Sequence, residues 1–231
     1  MKIINTKAYI KKVKDLSPTA RELTIFPETK IEFIPGMFVN IFMENNGKTI
    51  RRAYSISSNP KEKDTFSVTA RFLKDGEMSP LFWQDDILGR EIKVMGPLGI
   101  NTSDKITKDK VFLFAFGAGV SVIKSILSDL LNKGKDICIV TGNMNEDEIL
   151  YKDYFDEISK NEAHISVRYV LSKPKDEKYK YKGYIQDFIN DFSFNNSDIY
   201  ICGPGKACDS LKEKIEFVKP KNYQIITESF G

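Results

Sequence analysis

The sequence predicts two domains of different class in one chain: a six-stranded antiparallel β-barrel over residues 1–101, then a doubly wound parallel α/β domain over residues 108–231. Two observations carry this reading. Through the first hundred residues, short runs rich in β-branched and aromatic residues are separated by Pro, Gly, Asn or Asp. From about Lys110 onward, apolar runs alternate with segments of helical period, the signature of a parallel sheet covered by helices. The polar stretch Asn101 to Lys110, full of turn formers and charges, reads as the linker.

In order, the first half gives strands at Lys7 to Val13, Ala20 to Phe26, Met37 to Met43, Arg52 to Ser57, Thr65 to Phe72 and Glu91 to Met95. Six such strands with long turns suggest a closed barrel. One helical segment, Ser79 to Asp85, interrupts them, with Ser79 before Pro80 at a helix start. The second half pairs Val111 to Phe116 with a helix over Val120 to Lys133, Asp136 to Thr141 with Tyr151 to Lys160, and Ile165 to Leu171 with Ile185 to Phe192. Asp198 to Cys202, a helix over Gly205 to Phe217 and a strand over Tyr223 to Glu228 complete it. The Lys-rich segment Lys173 to Lys182 reads as an exposed loop.

Composition narrows the function classes. The 231 residues are 29% charged, yet the formal net charge is only +3 with acids and bases interspersed, which argues against a dedicated nucleic-acid binder. No run approaches the roughly 20 apolar residues that span a bilayer, and Met1-Lys2-Ile3-Ile4-Asn5 lacks the apolar core of a signal peptide, so a cytoplasmic location is expected. Three cysteines, Cys138, Cys202 and Cys208, fall short of the four an iron–sulfur cluster usually takes. With His164 the only histidine, a histidine-rich metal site or a Ser-His-Asp triad has little to draw on, and no metal site is expected.

Chemistry concentrates in short motifs. Arg52-Ala53-Tyr54-Ser55 displays a planar cation suited to phosphate oxygens, an aromatic surface and a hydroxyl on one extended segment. Taken alone it also fits a strand of alternating exposure. Phe116-Gly117-Ala118-Gly119-Val120-Ser121 lies between an apolar strand and a helix, where glycines let a pyrophosphate approach the helix start. Position 122 is Val, so the full dinucleotide fingerprint with its third glycine is not met, and a plain strand-to-helix turn fits as well. Cys202 ends a parallel strand, on the side where ligands bind such sheets.

The order of these motifs, with Gly76-Glu77-Met78-Ser79 and Gly96-Pro97-Leu98-Gly99 in the first half and Cys202-Gly203-Pro204 and Glu228-Ser229-Phe230 in the second, resembles the ferredoxin–NADP reductase superfamily. That superfamily includes cytochrome b5 reductases, oxygenase reductases and flavin reductases. The resemblance implies an FAD-binding barrel followed by a five-stranded NAD(P)H-binding sheet. It assigns Arg52 to the FAD pyrophosphate, Tyr54 to the flavin and ribityl region, and Ser55 to a hydrogen bond near flavin N5, with Ala53 between them. Thr69, Ala70 and Arg71 match the next flavin-contacting strand, and Gly76, Glu77, Met78 and Ser79 the turn that holds the pyrophosphate.

In the second half the resemblance assigns Gly117, Ala118, Gly119 and Ser121 to the nicotinamide nucleotide's phosphates, and Cys202, Gly203 and Pro204 to the nicotinamide ring. Ser55, Cys202 and Glu228 would line the contact between the two rings as catalytic residues, and Phe230 would shield the flavin. Two departures stand out: Val122 replaces a frequent Pro, and Met144 stands where an Arg is frequent. That leaves Ser172-Lys173 as the nearby source of a cation for a 2′-phosphate and favours NADH over NADPH. The implied reaction is hydride transfer from NADH or NADPH to FAD, with electrons passed to ferredoxin, flavodoxin, an oxygenase component or a small-molecule acceptor. An NAD(P)H:flavin reductase, or an electron-transfer subunit of a larger redox complex, is the alternative.

Overall fold

In the computed structural model, which describes residues 1–62 and 64–230, two sheets of six strands carry the chain. Residues Met1–Ser103, with Lys124–Asp129, form one compact unit; Asp104–Ile123 and the chain from Leu130 form the other. Gly231, the last residue of the expected second domain, lies outside the described residues.

The first unit is an antiparallel sheet of β1 (Ile4–Ser17), β2 (Ala20–Pro27), β3 (Phe38–Asn45), β4 (Lys48–Ser55), β5 (Phe66–Arg71) and β6 (Glu91–Leu98), in the order β4-β3-β6-β1-β2-β5. The two edge strands meet just past β4, where Ile56 bridges Val68 and the Ser57 amide donates to the Ser67 carbonyl at 2.7 Å. That contact curls the sheet into the expected barrel. Alternating residues fill it: Ala8 and Ile10, Leu23 and Ile25, Val39 and Ile41, Val68 and Ala70, Ile92 and Val94 are all buried. β1 is twice the expected length. Register shifts after Ile10 and Asp15 bend it, so one strand serves two parts of the barrel.

The strand expected at Arg52 begins four residues earlier. Asn46 and Gly47, both at positive φ (50° and 74°), make a two-residue hairpin turn that pairs Asn45 with Lys48 and extends β4 backward. The segment expected as a helix from Ser79 to Asp85 is instead a single 3₁₀ stretch, Ser79–Trp83. Pro80 starts it, and five residues give too few hydrogen bonds for an α-helix to nucleate on its own.

The second unit is a parallel sheet in the order β10-β9-β8-β7-β11-β12, with β7 Lys110–Phe116, β8 Asp136–Asn143, β9 Ile165–Leu171, β10 Tyr181–Lys182, β11 Ser197–Pro204 and β12 Gln224–Phe230. Helices α1 (Val120–Leu130), α2 (Lys152–Asn161) and α3 (Gly205–Phe217) connect it. The sheet has six strands rather than five. Tyr181–Lys182, inside the segment expected as an exposed loop, adds a two-residue parallel edge, and the Tyr181 ring earns its place by packing under the Arg168 guanidinium at 4.1 Å.

The expected helix Ile185 to Phe192 is a 3₁₀ stretch, Ile185–Asp191, and α1 stops at Leu130 before a Gly134 turn. One sheet face packs Phe112, Phe114, Val140 and Ile201 against Ile185 and Ile189 and against Cys208, Leu211 and Ile215 of α3. The stretch expected as a linker is anchored. Within it Ser103–Lys105 form a 3₁₀ turn, and the buried Asp198 carboxylate accepts the amides of Thr107 (2.6 Å) and Lys108 (2.8 Å).

Candidate functional sites in the two units

In the first unit, the far-apart motifs of the sequence converge on one segment. Lys48, Ile50, Arg52 and Tyr54 alternate on one face of β4, with Ile50 buried as their anchor. Arg52 Nη2 donates to Glu77 Oε2 at 2.7 Å and Lys48 Nζ to Glu77 Oε1 at 2.8 Å, so two cations of β4 grip the turn that precedes Ser79. Tyr54 meets Phe82, three residues beyond Ser79, edge-on with ring centroids 5.6 Å apart. Such a pair is worth about 0.5–1.5 kcal/mol beyond burial. The turn is closed by Ser79, whose Oγ accepts the Leu73 amide at 2.9 Å, and by the Gly76 amide on the Leu73 carbonyl at 2.9 Å.

The electrostatics follow from this placement. Hydrogen bonds from Lys48, and then Arg52, hold the exposed Glu77 carboxyl below its ordinary range. Burial pushes the Tyr54 phenol up, so it stays a neutral donor. Ser55 is half-buried at the end of β4, in register with Phe38. Of the next predicted strand, Arg71 donates to Thr19 Oγ1 at 2.9 Å, whereas Thr69 is buried and the Ala70 methyl lies in the barrel core. Met78 is also a core residue, so that position offers a ligand its main chain rather than its side chain. Ala53, on the opposite face from Arg52 and Tyr54, is exposed.

In the second unit, β7 runs through Phe116 into a 3₁₀ turn, Gly117–Gly119, that leads directly into α1. Gly117 has φ of 53°, which a side chain would disfavour. Gly119 is required for a different reason: a Cβ there would land on the Cys202 carbonyl oxygen, 2.7 Å from its carbonyl carbon and 3.1 Å from the Gly203 nitrogen. The turn therefore rests directly on the main chain at the end of β11. Ser121 follows in the first turn of α1, buried, and Ala118 is half-buried.

The carboxyl ends of β11 and β12 meet at the same place. Cys202 pairs with Ala115 on one side and Glu228 on the other, Gly203 with Ser229 and Pro204 with Phe230, which is 41% exposed. The Cys202 thiol is fully buried; desolvation, then the Glu228 carboxylate, push its pKa well up. Glu228 accepts a hydrogen bond from the Tyr200 hydroxyl at 2.8 Å. The motifs pass over Tyr200 and Lys48. Both had a signal, since strand alternation puts Tyr200 on the face of Cys202, and Lys48 on the face of Arg52.

The donor sets fit the groups the motifs imply. An exposed guanidinium and ammonium already bound to a carboxylate, beside an aromatic face and a hydroxyl, suit a flavin nucleotide's pyrophosphate and ring. The glycine turn at the carboxyl ends of parallel strands suits a dinucleotide. Among the described residues, no three His, Cys, Asp or Glu side chains are grouped to hold a metal, and no helix is long and apolar enough to cross a membrane.

Comparison with known proteins assigns each unit. The family model for the oxidoreductase FAD-binding domain matches residues 8–102, and that for the oxidoreductase NAD-binding domain matches residues 113–211. The phenol hydroxylase P5 protein of Acinetobacter pittii is 26% identical over 97% of this chain and 65% of its own length. Ferredoxin–NADP reductase B of Sorangium cellulosum is 25% identical, with 87% of each chain covered. The toluate 1,2-dioxygenase electron transfer component of Pseudomonas putida is 26% identical over 94% of this chain, which spans 66% of that relative. Among solved structures, the Neisseria gonorrhoeae ferredoxin NADP+ reductase with bound FAD and NADP shares the fold at a TM-score of 0.84 and 17% identity, covering 99% of both chains.

Proposed function

The chain belongs to the ferredoxin reductase-like family of NAD(P)H flavoprotein reductases, and from that premise we propose that it takes electrons from NADH, holds FAD in its first unit, and passes the electrons to a separate redox partner. The observation that carries the flavin assignment is the convergence of Arg52 on Glu77 and Tyr54 on Phe82. Residues 25 and 28 positions apart in sequence thereby form one surface. On binding, the pyrophosphate would take the place that the Glu77 carboxylate holds at Arg52, with Lys48 as a second cation and the Ser79 turn beneath. Tyr54 would offer its ring, and Ser55 a hydroxyl, to the flavin.

In the second unit, Gly117, Ala118, Gly119 and Ser121 would bind the phosphates of the nicotinamide nucleotide. Cys202 would act through its main chain, since its thiol is buried and neutral, with Gly203 and Pro204 continuing the same wall. Glu228 would hold or move a proton beside that wall, and Phe230 would cover it. Bound FAD would supply the conversion of a two-electron donor into one-electron deliveries.

NADH is favoured because the residue after β8 is the neutral Met144, which leaves no arginine there for a 2′-phosphate. The acceptor class follows the relatives, one of which is named as the electron transfer component of a dioxygenase and another as a ferredoxin–NADP reductase; a cytoplasmic location is part of the same proposal. The chain spans 65% of the phenol hydroxylase P5 protein and 66% of the toluate 1,2-dioxygenase component, and the reading as an electron-transfer subunit of a larger redox complex stands beside it. The test is an absorbance spectrum of the purified protein, followed anaerobically after NADH or NADPH in separate cuvettes. A flavin spectrum bleached faster by NADH is expected; a protein that stays colourless with added FAD refutes the reading.

A further inference from the structure

Glu228 is tethered by a residue outside every motif. Tyr200 lies within β11 with its side chain fully buried, and its hydroxyl donates to Glu228 Oε2 at 2.8 Å. In the parallel pairing of β11 with β12, Tyr200 stands beside Ile226 and Cys202 beside Glu228. The tyrosine thus reaches two residues along the strand, toward the carboxyl end where the Gly119 turn rests on Cys202. A buried ring has two torsions, both fixed by packing, so its hydroxyl is a stationary donor. Glu228 has three torsions and is only half-buried, so a fixed donor on its carboxylate narrows the rotamers it samples.

Titratable groups near this carboxylate include Cys202 on β11, and Cys208 with its neighbour Asp209 on α3, where the Cys208 thiol approaches the Glu228 carbonyl at 3.9 Å. Burial keeps both thiols protonated. The Tyr200 hydroxyl is a donor placed on the carboxylate itself. We propose that Tyr200 is a positioning residue for the reductase: it fixes the Glu228 carboxylate at the nucleotide end of the sheet and acts on turnover only through it. The functional half of this proposal rests on the reductase reading above.

The experiment compares Tyr200→Phe, Glu228→Gln and the double variant, all in the full chain. Tyr200→Phe removes one oxygen from a packed ring, and Glu228→Gln keeps the size and an acceptor for the tyrosine, so neither arm depends on a disruptive change. Infrared spectra of the protein before any nucleotide is added identify the Glu228 carboxylate band by its loss in Glu228→Gln. That band is expected to shift in Tyr200→Phe.

Anaerobic single-turnover reduction by NADH gives the second readout. Tyr200→Phe is expected to lower the limiting rate about tenfold, a change of roughly 1.4 kcal/mol in barrier, with the NADH dissociation constant within about twofold of the parent. In the Glu228→Gln background, Tyr200→Phe is expected to add nothing. An unshifted band, or rate losses that multiply in the double variant, overturns the proposal. So does Glu228→Gln reacting at the parental rate. A parent that neither nucleotide reduces refutes the reductase reading instead, and that result is seen before any variant is made.

Discussion

Replacing Gly119 with Ala tests whether the glycine turn is built against β11 or is merely a loop. Its φ lies outside the left-handed region, so the main chain accepts alanine. At an unobstructed site of that kind the substitution stabilises by about 0.4–1 kcal/mol, because the unfolded chain loses freedom. Here the added methyl would sit on the Cys202 carbonyl, against main-chain atoms of a central strand with β7 on one side and β12 on the other, which cannot swing aside as a side chain could. Overpacking of this kind costs about 1–3 kcal/mol.

The net expectation for Gly119→Ala is a loss of roughly 1–2 kcal/mol, a fall in Tm of about 2–8 °C for a chain of this size. The NADH dissociation constant should rise about tenfold or more, because the turn and the end of β11 are forced apart. Gly205→Ala is the internal control: it lies at the start of α3 with nothing within 4 Å of the added carbon, and it should raise Tm by a few degrees at most. Differential scanning calorimetry and nucleotide titration read both variants. A Gly119→Ala protein as stable as Gly205→Ala, with parental NADH affinity, would refute the packing argument.

Arg52→Ala should raise the FAD dissociation constant about 10- to 100-fold, the loss of one charge-assisted hydrogen bond of about 1.5–3 kcal/mol. Glu77→Gln removes a competitor for the same guanidinium and should retain FAD at least as well; the ratio of flavin to protein absorbance after gel filtration separates the two. All three cysteines are free, but burial raises the pKa of each, that of Cys208 to about 11. At pH 8 the thiolate of Cys208 is therefore present at roughly one part in a thousand, and a disulfide reagent should modify at most the half-buried Cys138 at an appreciable rate, then all three thiols after unfolding. Asp198→Ala removes the acceptor of the Thr107 and Lys108 amides and should lower stability by about 2 kcal/mol in a denaturant titration, with no loss of bound FAD.

Much of this architecture is legible in the sequence because period-two and period-3.6 patterns report burial directly. Both sheets stand where those patterns put them, and Phe112, Phe114, Ile139 and Val140 are buried as their runs require. The misread elements are the ones a local pattern cannot define. Ser79–Trp83 and Ile185–Asp191 carry apolar spacing that suits a 3₁₀ turn as well as an α-helix, and only packing chooses between them. The two-residue strand Tyr181–Lys182 has no period at all; an aromatic contact with Arg168 holds it against β9.

The sequence by itself determined the class of each half and the residue types available to each, since these depend on composition and near-neighbour order. Which side chains of the motifs are buried and which are exposed was decided by the tertiary structure. Cys202, Ala70 and Met78 look alike with their neighbours in a motif, yet each turns its side chain into a core, while Lys48 and Tyr200, outside every motif, meet Glu77 and Glu228. The reason is physical. A strand sends alternate side chains to opposite faces, and which face is dry depends on strands and turns tens of residues away.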